Sequence, residues 1–525
     1  MAGKRRDAVV IGAGPNGLVA ANLLVDAGWD VLVVEAQDHV GGGVYSDESV
    51  APGYVHDTFS SFYPLAGASH VIRGLGLEEY GLVWRHAPAV LGNPLPDGSW
   101  AMLYRDVEKT AAGLDAASPG DGDAWRAVVR DWEVIGPAIL DSLLSPFPPV
   151  KGGLRTLVNL PRVGGLDYIR TLLEPAATMG GKRFAGEGAR LLLAGNASHA
   201  DIPMSASGSG LLGLLLAMMG QTVGFPLPEG GAARLTQALA DRLTSRGGQI
   251  RLNTHVNAIT HHNRQVTGVR TDDGEQLPAR AVVADVAATV LYGDLIPWSD
   301  LPARTQKGMK RFEQDPGTIK VDWALSSPVP WSQPPPDAPG TVHFADSVDQ
   351  LSQSQDAITN HSVPAEPFLL AGQMTSSDPT RSPAGTESMW AYTHVPQEVH
   401  RDEGPDGLTG RWDHDEVERM ADRMQARIVK HAPDFESRIV ARRVLGPYEM
   451  QARNENLIKG ALGGGTAGLH QQLIFRPVPG LGRAGTPFRG LFLGSASAHP
   501  GGGVHGACGS NAARAVLAAA RTGRL

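Results

Sequence analysis

The sequence predicts an α/β protein of two domains, with a Rossmann-like dinucleotide-binding unit at its N-terminus. Three observations carry that expectation. At 525 residues the chain exceeds the size at which a single core usually keeps growing. Its first segment runs strand, glycine turn, helix, strand and acid. A second series of glycine turn, helix, strand, hairpin and strand follows in "PEGGAARLTQALADRLTSRGGQIRLNTHVNAITHHNRQVTGVRTDDGEQLPARAVVADV", whose Asp273-Gly274 pair is a hairpin turn signal.

The N-terminal elements follow from their residues in order. "DAVVI" is a short β-rich run that delivers the chain into "GAGPNG", Gly12 to Gly17. "NGLVAANLLVDAG" spaces its apolar residues at helical intervals, so the N-terminus of that helix faces the turn and can meet a pyrophosphate. Gly12 permits the tight turn, Gly14 lets the backbone approach the phosphates, and Gly17 lets the helix pack on the strand. "DVLVVEA" is a second buried strand ending in Glu35, roughly 20 residues past the turn, where a carboxylate can accept from ribose hydroxyls. Gly41, Gly42 and Gly43 then stand where a chain turning back along an extended dinucleotide needs them. Taken alone, that cluster also reads as a plain loop after the second strand.

The GxGxxG pattern recurs three times with poorer context. "GSGLLG" (208–213) follows a proline-containing polar stretch, and no strand with a terminal acid comes after it; it reads as a buried helix or a pocket wall. "GGGTAG" (463–468) has no strand entering it and reads as a flexible loop. "GGGVHG" (501–506) does follow a strand, "GLFLGSA", and opens a helix, "NAARAVLAAART", yet no ribose acid can follow, so it is not an independent dinucleotide site. The apolar run Leu211 to Met219, with Met204, Met218 and Met219, reads first as core and second as the wall of a channel for a long hydrophobic substrate.

Composition narrows the class of partner. A net charge of -8 with acids and bases interspersed gives no basic stripe for nucleic acid. The single cysteine, Cys508, excludes intramolecular disulfides and a multi-cysteine zinc site, in keeping with a reducing compartment. His499, His505 and Cys508 match no known metal spacing, and Cys508 reads as a small buried residue in a first helical turn. The longest apolar stretch, "GLLGLLLAMMG", falls short of the roughly 18 to 20 residues that span a bilayer. A cytoplasmic protein is expected, touching a membrane peripherally at most.

The N-terminal motif, the 228–286 series and "GLFLGSASAHPGGGVHGACGSNAA" together resemble the FAD-dependent phytoene desaturase and carotenoid isomerase superfamily, within the amine oxidase-like flavoprotein fold. Within it the chain is similar to the bacterial phytoene dehydrogenase-related group akin to pyridine nucleotide-disulfide oxidoreductase domain-containing protein 2. The resemblance extends through "PGYVHDTFSSFYPL", "PMSASGSGLLGLLLAMMGQTVGFPLPEGG" and "LIFRPVPG". It implies a discontinuous FAD-binding domain at 1–68, 226–300 and 440–525, with an inserted α+β substrate domain at 69–225 and 301–439. It further implies that FAD is held by Gly12, Gly14, Pro15, Asn16, Gly17, Glu35, Ala36, Gly41, Gly42, Gly43 and Val256, and by Ser495, Gly502, Gly503, Val504 and Gly506. Two departures stand out: Gly43 occupies a position where many members carry arginine, and Ser495 follows Gly494 where an acid is often found.

The chemistry implied is dehydrogenation of a C–C bond in a hydrophobic, polyene or lipid-like substrate, with hydride passing to flavin N5 and electrons leaving to oxygen, a quinone or another acceptor. His499 and His505 are the candidates for a base beside the flavin. A redox-neutral polyene isomerase, a flavin amine oxidase and a non-catalytic binding protein of the Rab GDP-dissociation inhibitor type are the alternatives.

Overall fold

A computed structural model describes residues 5–525. The strand Arg6–Ile11 lies inside a seven-stranded sheet, parallel to Val31–Val34 on one side and to Gln276–Ala284 on the other. Gln249–Arg251 extends the sheet beyond Val31–Val34, and Leu491–Leu493 runs parallel along the far side of Gln276–Ala284. The first strand is apolar throughout its buried part because both its faces are covered. Ala8 and Val10 pack toward the helices Pro15–Asp26, Ala233–Ser245 and Ala507–Arg521, whereas Val9 and Ile11 pack toward Leu291, Tyr292 and Phe488. The expected Asp-Gly turn joins Gln265–Thr271 to Gln276–Ala284, with Gly274 at φ +86°.

Two close approaches in this unit admit only glycine. A Cβ on Gly17 would stand 2.1 Å from the Gly12 carbonyl oxygen, and one on Gly509 would stand 1.9 Å from the Asn16 carbonyl oxygen. The second contact is where the C-terminal helix crosses the first helix.

The second sheet also has seven strands, in the order Ile439–Leu445, Gly317–Leu325, Glu387–Val395, Leu369–Gln373, Pro339–Phe344, Ala89–Pro94 and Trp100–Leu103. All its pairs are antiparallel except that between Pro339–Phe344 and Ala89–Pro94. Side chains alternate across its strands. Ile319, Val321, Trp323 and Leu325 meet Val417, Met420, Met424 and Ile428 of the helix His414–Val429. The intervening residues, Thr318, Lys320 and Asp322, point to the opposite face. The expected domain boundary at 440 cuts through a strand of this sheet, since Ile439–Leu445 pairs with Gly317–Leu325 along its length.

Candidate active site

A cavity of about 1410 Å³ runs from the N-terminal glycine turn to the inner face of the second sheet. That is more than the several hundred to about 1,000 Å³ usual for one small ligand. At one end it is lined by Gly12, Gly14, Pro15, Asn16, Glu35, Ala36, Gly42, Gly43 and Val256, and by Ser495, Gly502, Gly503 and Val504 from the C-terminal loop; His499 and His505 line it as well. Three expected contact residues stand behind the wall instead. Gly17 is buried against the first strand, Gly41 folds back to donate its N–H to the Ala13 carbonyl, and Gly506, at φ +68°, abuts Val19 and Ile72 as it opens the C-terminal helix. Each shapes the turn without facing the space.

The helix Pro15–Asp26 starts with proline and has no side-chain cap and no acid in its first turn, so the positive end of its dipole is turned to the cavity. Glu35 is buried; one of its carboxylate oxygens accepts from the Ala13 N–H (2.7 Å) and the other from the Gln37 N–H (3.0 Å), which fixes the carboxylate at the rim of the turn. Beneath the turn lies Asp285, a lining residue that sequence reasoning missed. Its Oδ2 accepts from the Gly17 N–H at 2.7 Å, and any Cβ on Gly12, Gly14 or Gly17 would press on it. Burial, with a smaller contribution from the charge of Glu35, pushes Asp285 up to about 7, although the bond from Gly17 opposes this. Its signal was present in "VVADV", an acid ending a strand that pairs with the motif strand.

The C-terminal loop is locked from below by Arg476, which is almost wholly buried yet has no carboxylate partner among the described residues. Its guanidinium donates to the Ala496 carbonyl (2.8 and 3.0 Å) and to the carbonyls of Gly463, Gly465 and Thr466. Asp315 completes the lock by accepting from the N–H groups of Gly463 and Gly465. The "GGGTAG" stretch, expected as a flexible loop, is thus held at both its carbonyls and its N–H groups and forms cavity wall. Cys508 is wholly buried in the first turn of the C-terminal helix, and burial pushes its thiol up to about 12.

The two histidines differ in what they have free. His505 accepts from the Ala507 N–H with Nδ1 at 3.0 Å, and burial brings it down to about 4, so it is neutral with its lone pair spent. His499 donates from Nε2 to the Ser145 carbonyl at 3.1 Å, which leaves Nδ1 as its unprotonated nitrogen. Burial, helped by the nearby charge of Arg476, lowers its pKa too.

The far part of the cavity has two unlike walls. One is apolar: Leu211, Leu212, Leu215 and Leu216 of the helix Ser209–Thr222, with Leu143 and Leu173. The three methionines considered for this role, Met204, Met218 and Met219, are wholly buried core instead, and the leucines of the same helix line the channel. The other wall is the second sheet, which presents Thr318, Lys320, Thr341, Tyr392 and His394. Lys320 pairs with the buried Asp322 and donates to the Asp57 carbonyl at 2.9 Å, and burial lowers its pKa. Among the described residues, the Nε2 of His394 and the Oγ1 of Thr341 have no hydrogen-bond partner although both are buried.

Known proteins match this arrangement. Residues 10–75 match the NAD(P)-binding Rossmann-like domain and residues 174–333 the flavin containing amine oxidoreductase family. The chain is 28% identical to pyridine nucleotide-disulfide oxidoreductase domain-containing protein 2 of Mus musculus, over 97% of this chain and 93% of that one. It is 25% identical to the phytoene desaturase of Fusarium fujikuroi, over 95% and 87%. The chain is thus similar both to phytoene desaturases and to the flavin containing amine oxidoreductases. Its fold is shared by cyclohexylamine oxidase from Brevibacterium oxydans IH-35A, with a TM-score of 0.60 at 17% identity over 98% of this chain and 100% of the other.

FAD is the cofactor of this flavoprotein, and the residues present fit it. The glycines leave a cradle that side chains would fill: a Cβ on Gly42 would sit 3.1 Å from the Gly14 Cα. An uncapped helix N-terminus suits the pyrophosphate and the fixed Glu35 carboxylate suits ribose. Gly43 faces open space, with no atom within 4 Å of where its Cβ would be, so the cradle is uncrowded at this position.

Proposed function

We propose that this FAD-dependent oxidoreductase dehydrogenates a C–C bond of a hydrophobic, polyene or lipid-like substrate. The observation that carries the reading is the continuity of one cavity from the dinucleotide glycines to a wall of leucines. When bound, FAD supplies the acceptor for the hydride, while a proton leaves the neighbouring carbon. The leucine wall holds the chain of the substrate and excludes water, and the C-terminal loop, fixed by Arg476 and Asp315, would help to hold FAD. His499, through Nδ1, is the group we assign to take the proton; His505 holds the loop in shape. Oxygen or a quinone then reoxidises the enzyme.

Anaerobic mixing of the holoenzyme with polyene and fatty-acyl compounds tests this. Bleaching of the flavin absorbance, with a product two hydrogens lighter by mass spectrometry, is the expected result. No bleaching by any lipid-like compound, with bleaching by a polar one, would overturn the substrate class. Product of unchanged mass formed without an acceptor would instead indicate the isomerase.

A second reading draws on the sheet wall. Thr318, Lys320, Tyr392 and His394 offer hydrogen-bonding groups that a pure hydrocarbon does not use, and these favour an amine or other polar function on the substrate. Release of hydrogen peroxide together with ammonia from an amine would decide for it.

A further inference from the structure

The helix Val150–Asn159 is amphipathic the wrong way round for a soluble surface. Gly152, its only buried residue, packs against the helix Asp121–Leu144, where a Cβ would stand 2.5 Å from the Ser142 backbone nitrogen. Thr156, one turn on, meets Ser142 as well. The small, polar face is therefore turned to the protein. The opposite face carries Val150, Leu154, Leu157 and Val158, at 72%, 63%, 64% and 62% exposure. Residues spaced i, i+4, i+7 and i+8 share one stripe.

The stripe does not end with the helix. After the turn Leu160–Val163, the helix Leu166–Leu172 exposes Leu166 and Ile169, and Leu173 follows. Leu173, Leu469 and Leu473 are each about half exposed and each also line the cavity, so they form its apolar lip. The lip and the helix are neighbours: the Gly208 N–H bonds to the Leu173 carbonyl, a Cβ on Gly208 would touch Leu469, and Arg483 donates to the Phe147 carbonyl just before the helix. Ile474 and Phe475 add to the same rim. Contiguous apolar surface of this extent marks an interaction site.

Charge selects the partner. Residues 150–173 hold four basic side chains, Lys151, Arg155, Arg162 and Arg170, against one acid, Asp167. Arg155 is paired with Asp141 and Arg170 lies near Asp167, whereas Lys151 and Arg162 have no acidic partner among the described residues. An exposed apolar stripe flanked by basic residues is the pattern of a helix lying in the interface of an anionic membrane. We propose that this corner of the molecule docks on a bilayer containing anionic phospholipid, with the helix Val150–Asn159 in the headgroup layer and the cavity lip against it. Docking does not depend on which reaction the enzyme performs.

Flotation of the holoenzyme with phosphatidylcholine vesicles, with and without phosphatidylglycerol, tests this without any turnover. The protein is expected to float with the anionic vesicles and much less with the neutral ones. The double variant Leu154→Asp, Leu157→Asp is expected to lose roughly a hundredfold or more in partitioning, the consequence of withdrawing two leucines from an apolar layer. Because both positions are exposed, its flavin spectrum and melting temperature should match the wild type, which separates lost docking from lost folding. Absence of flotation by the wild type would overturn the proposal, as would equal flotation by the variant or equal binding to neutral vesicles. A wild-type dimer that the variant converts to monomer, with no vesicle binding by either, would assign the face to a second copy instead.

Discussion

At the scale of single residues, the histidines and Asp285 give the sharpest expectations. His505 has no lone pair to offer and is neutral above about pH 4, so His505→Gln should lower thermal stability and leave the pH profile of turnover unchanged. His499→Gln should lower kcat by about a hundredfold, the usual lower range for loss of a positioned base, with little change in KM. Equal losses for both variants would return both to a structural role. Asp285 titrates at about 7 in the fold, against 3.8 as an ordinary carboxylate. The folded state therefore holds the proton more tightly than the unfolded chain, and stability falls as pH rises from about 4 to about 7, then stays level. The roughly three-unit gap corresponds to at most about 4 kcal/mol. Asp285→Asn keeps an oxygen to accept from Gly17 and removes this loss, so the apoprotein variant should melt above the wild type at about pH 8 and level with it at about pH 4. A wild-type melting curve that does not change over that range would disprove the assignment.

The element scale is where the sequence was most and least informative. The strand, turn, helix and strand around Gly12 to Gly17 were legible because each has its own local cause, and so was the glycine-opened C-terminal helix. What could not be read was which elements meet. "GGGTAG" looked like a loose loop since nothing adjacent to it in sequence binds it; Arg476 and Asp315, which do, are remote or silent in composition. The polar sheet wall was hidden for a related reason. "GTIKVDWAL" puts Lys320 and Asp322 on one face and apolar residues on the other, but only the helix behind the strand decides that both faces are buried. The crossing of the first and last helices rests on Gly509, where even one methyl group has no room. Gly509→Ala should cost about 3 kcal/mol or more through overpacking, and weaken FAD retention in parallel, read by calorimetry and by flavin lost on gel filtration. Unimpaired retention would show that the helices can part without opening the site.

For the whole molecule, the seam between the two units is charged and dry. Asp57, on the hairpin formed by Ser46–Ala51 and Tyr54–Asp57, is paired with Arg381 at 2.7 Å, both with no exposed surface; it also accepts from Ser46 and from the Ala232 N–H. Burial alone would raise its pKa, yet Arg381 holds it below the ordinary value, so the stability it provides is present above about pH 4 and lost as pH falls through the folded value. Arg443 bridges Asp47 of the same hairpin to Asp322 of the second sheet. Arg381→Met would leave Asp57 buried and charged without its paired cation, at a cost of about 3 to 5 kcal/mol. Urea unfolding followed by circular dichroism and by flavin release should shift to lower urea together. A shift in one signal alone would show that the seam does not couple the units.

The crossing of Asn16 and Gly509 also carries a consequence for biogenesis. The turn at residues 12–17 and the loop at 494–509 are far apart in sequence yet share one cavity wall. During synthesis the βαβ unit around Gly12 precedes residues 494–509 by nearly five hundred positions and stays half built until they have been made. Flavin capture therefore waits for residues 494–509, and a nascent chain that stops short of them should stay colourless.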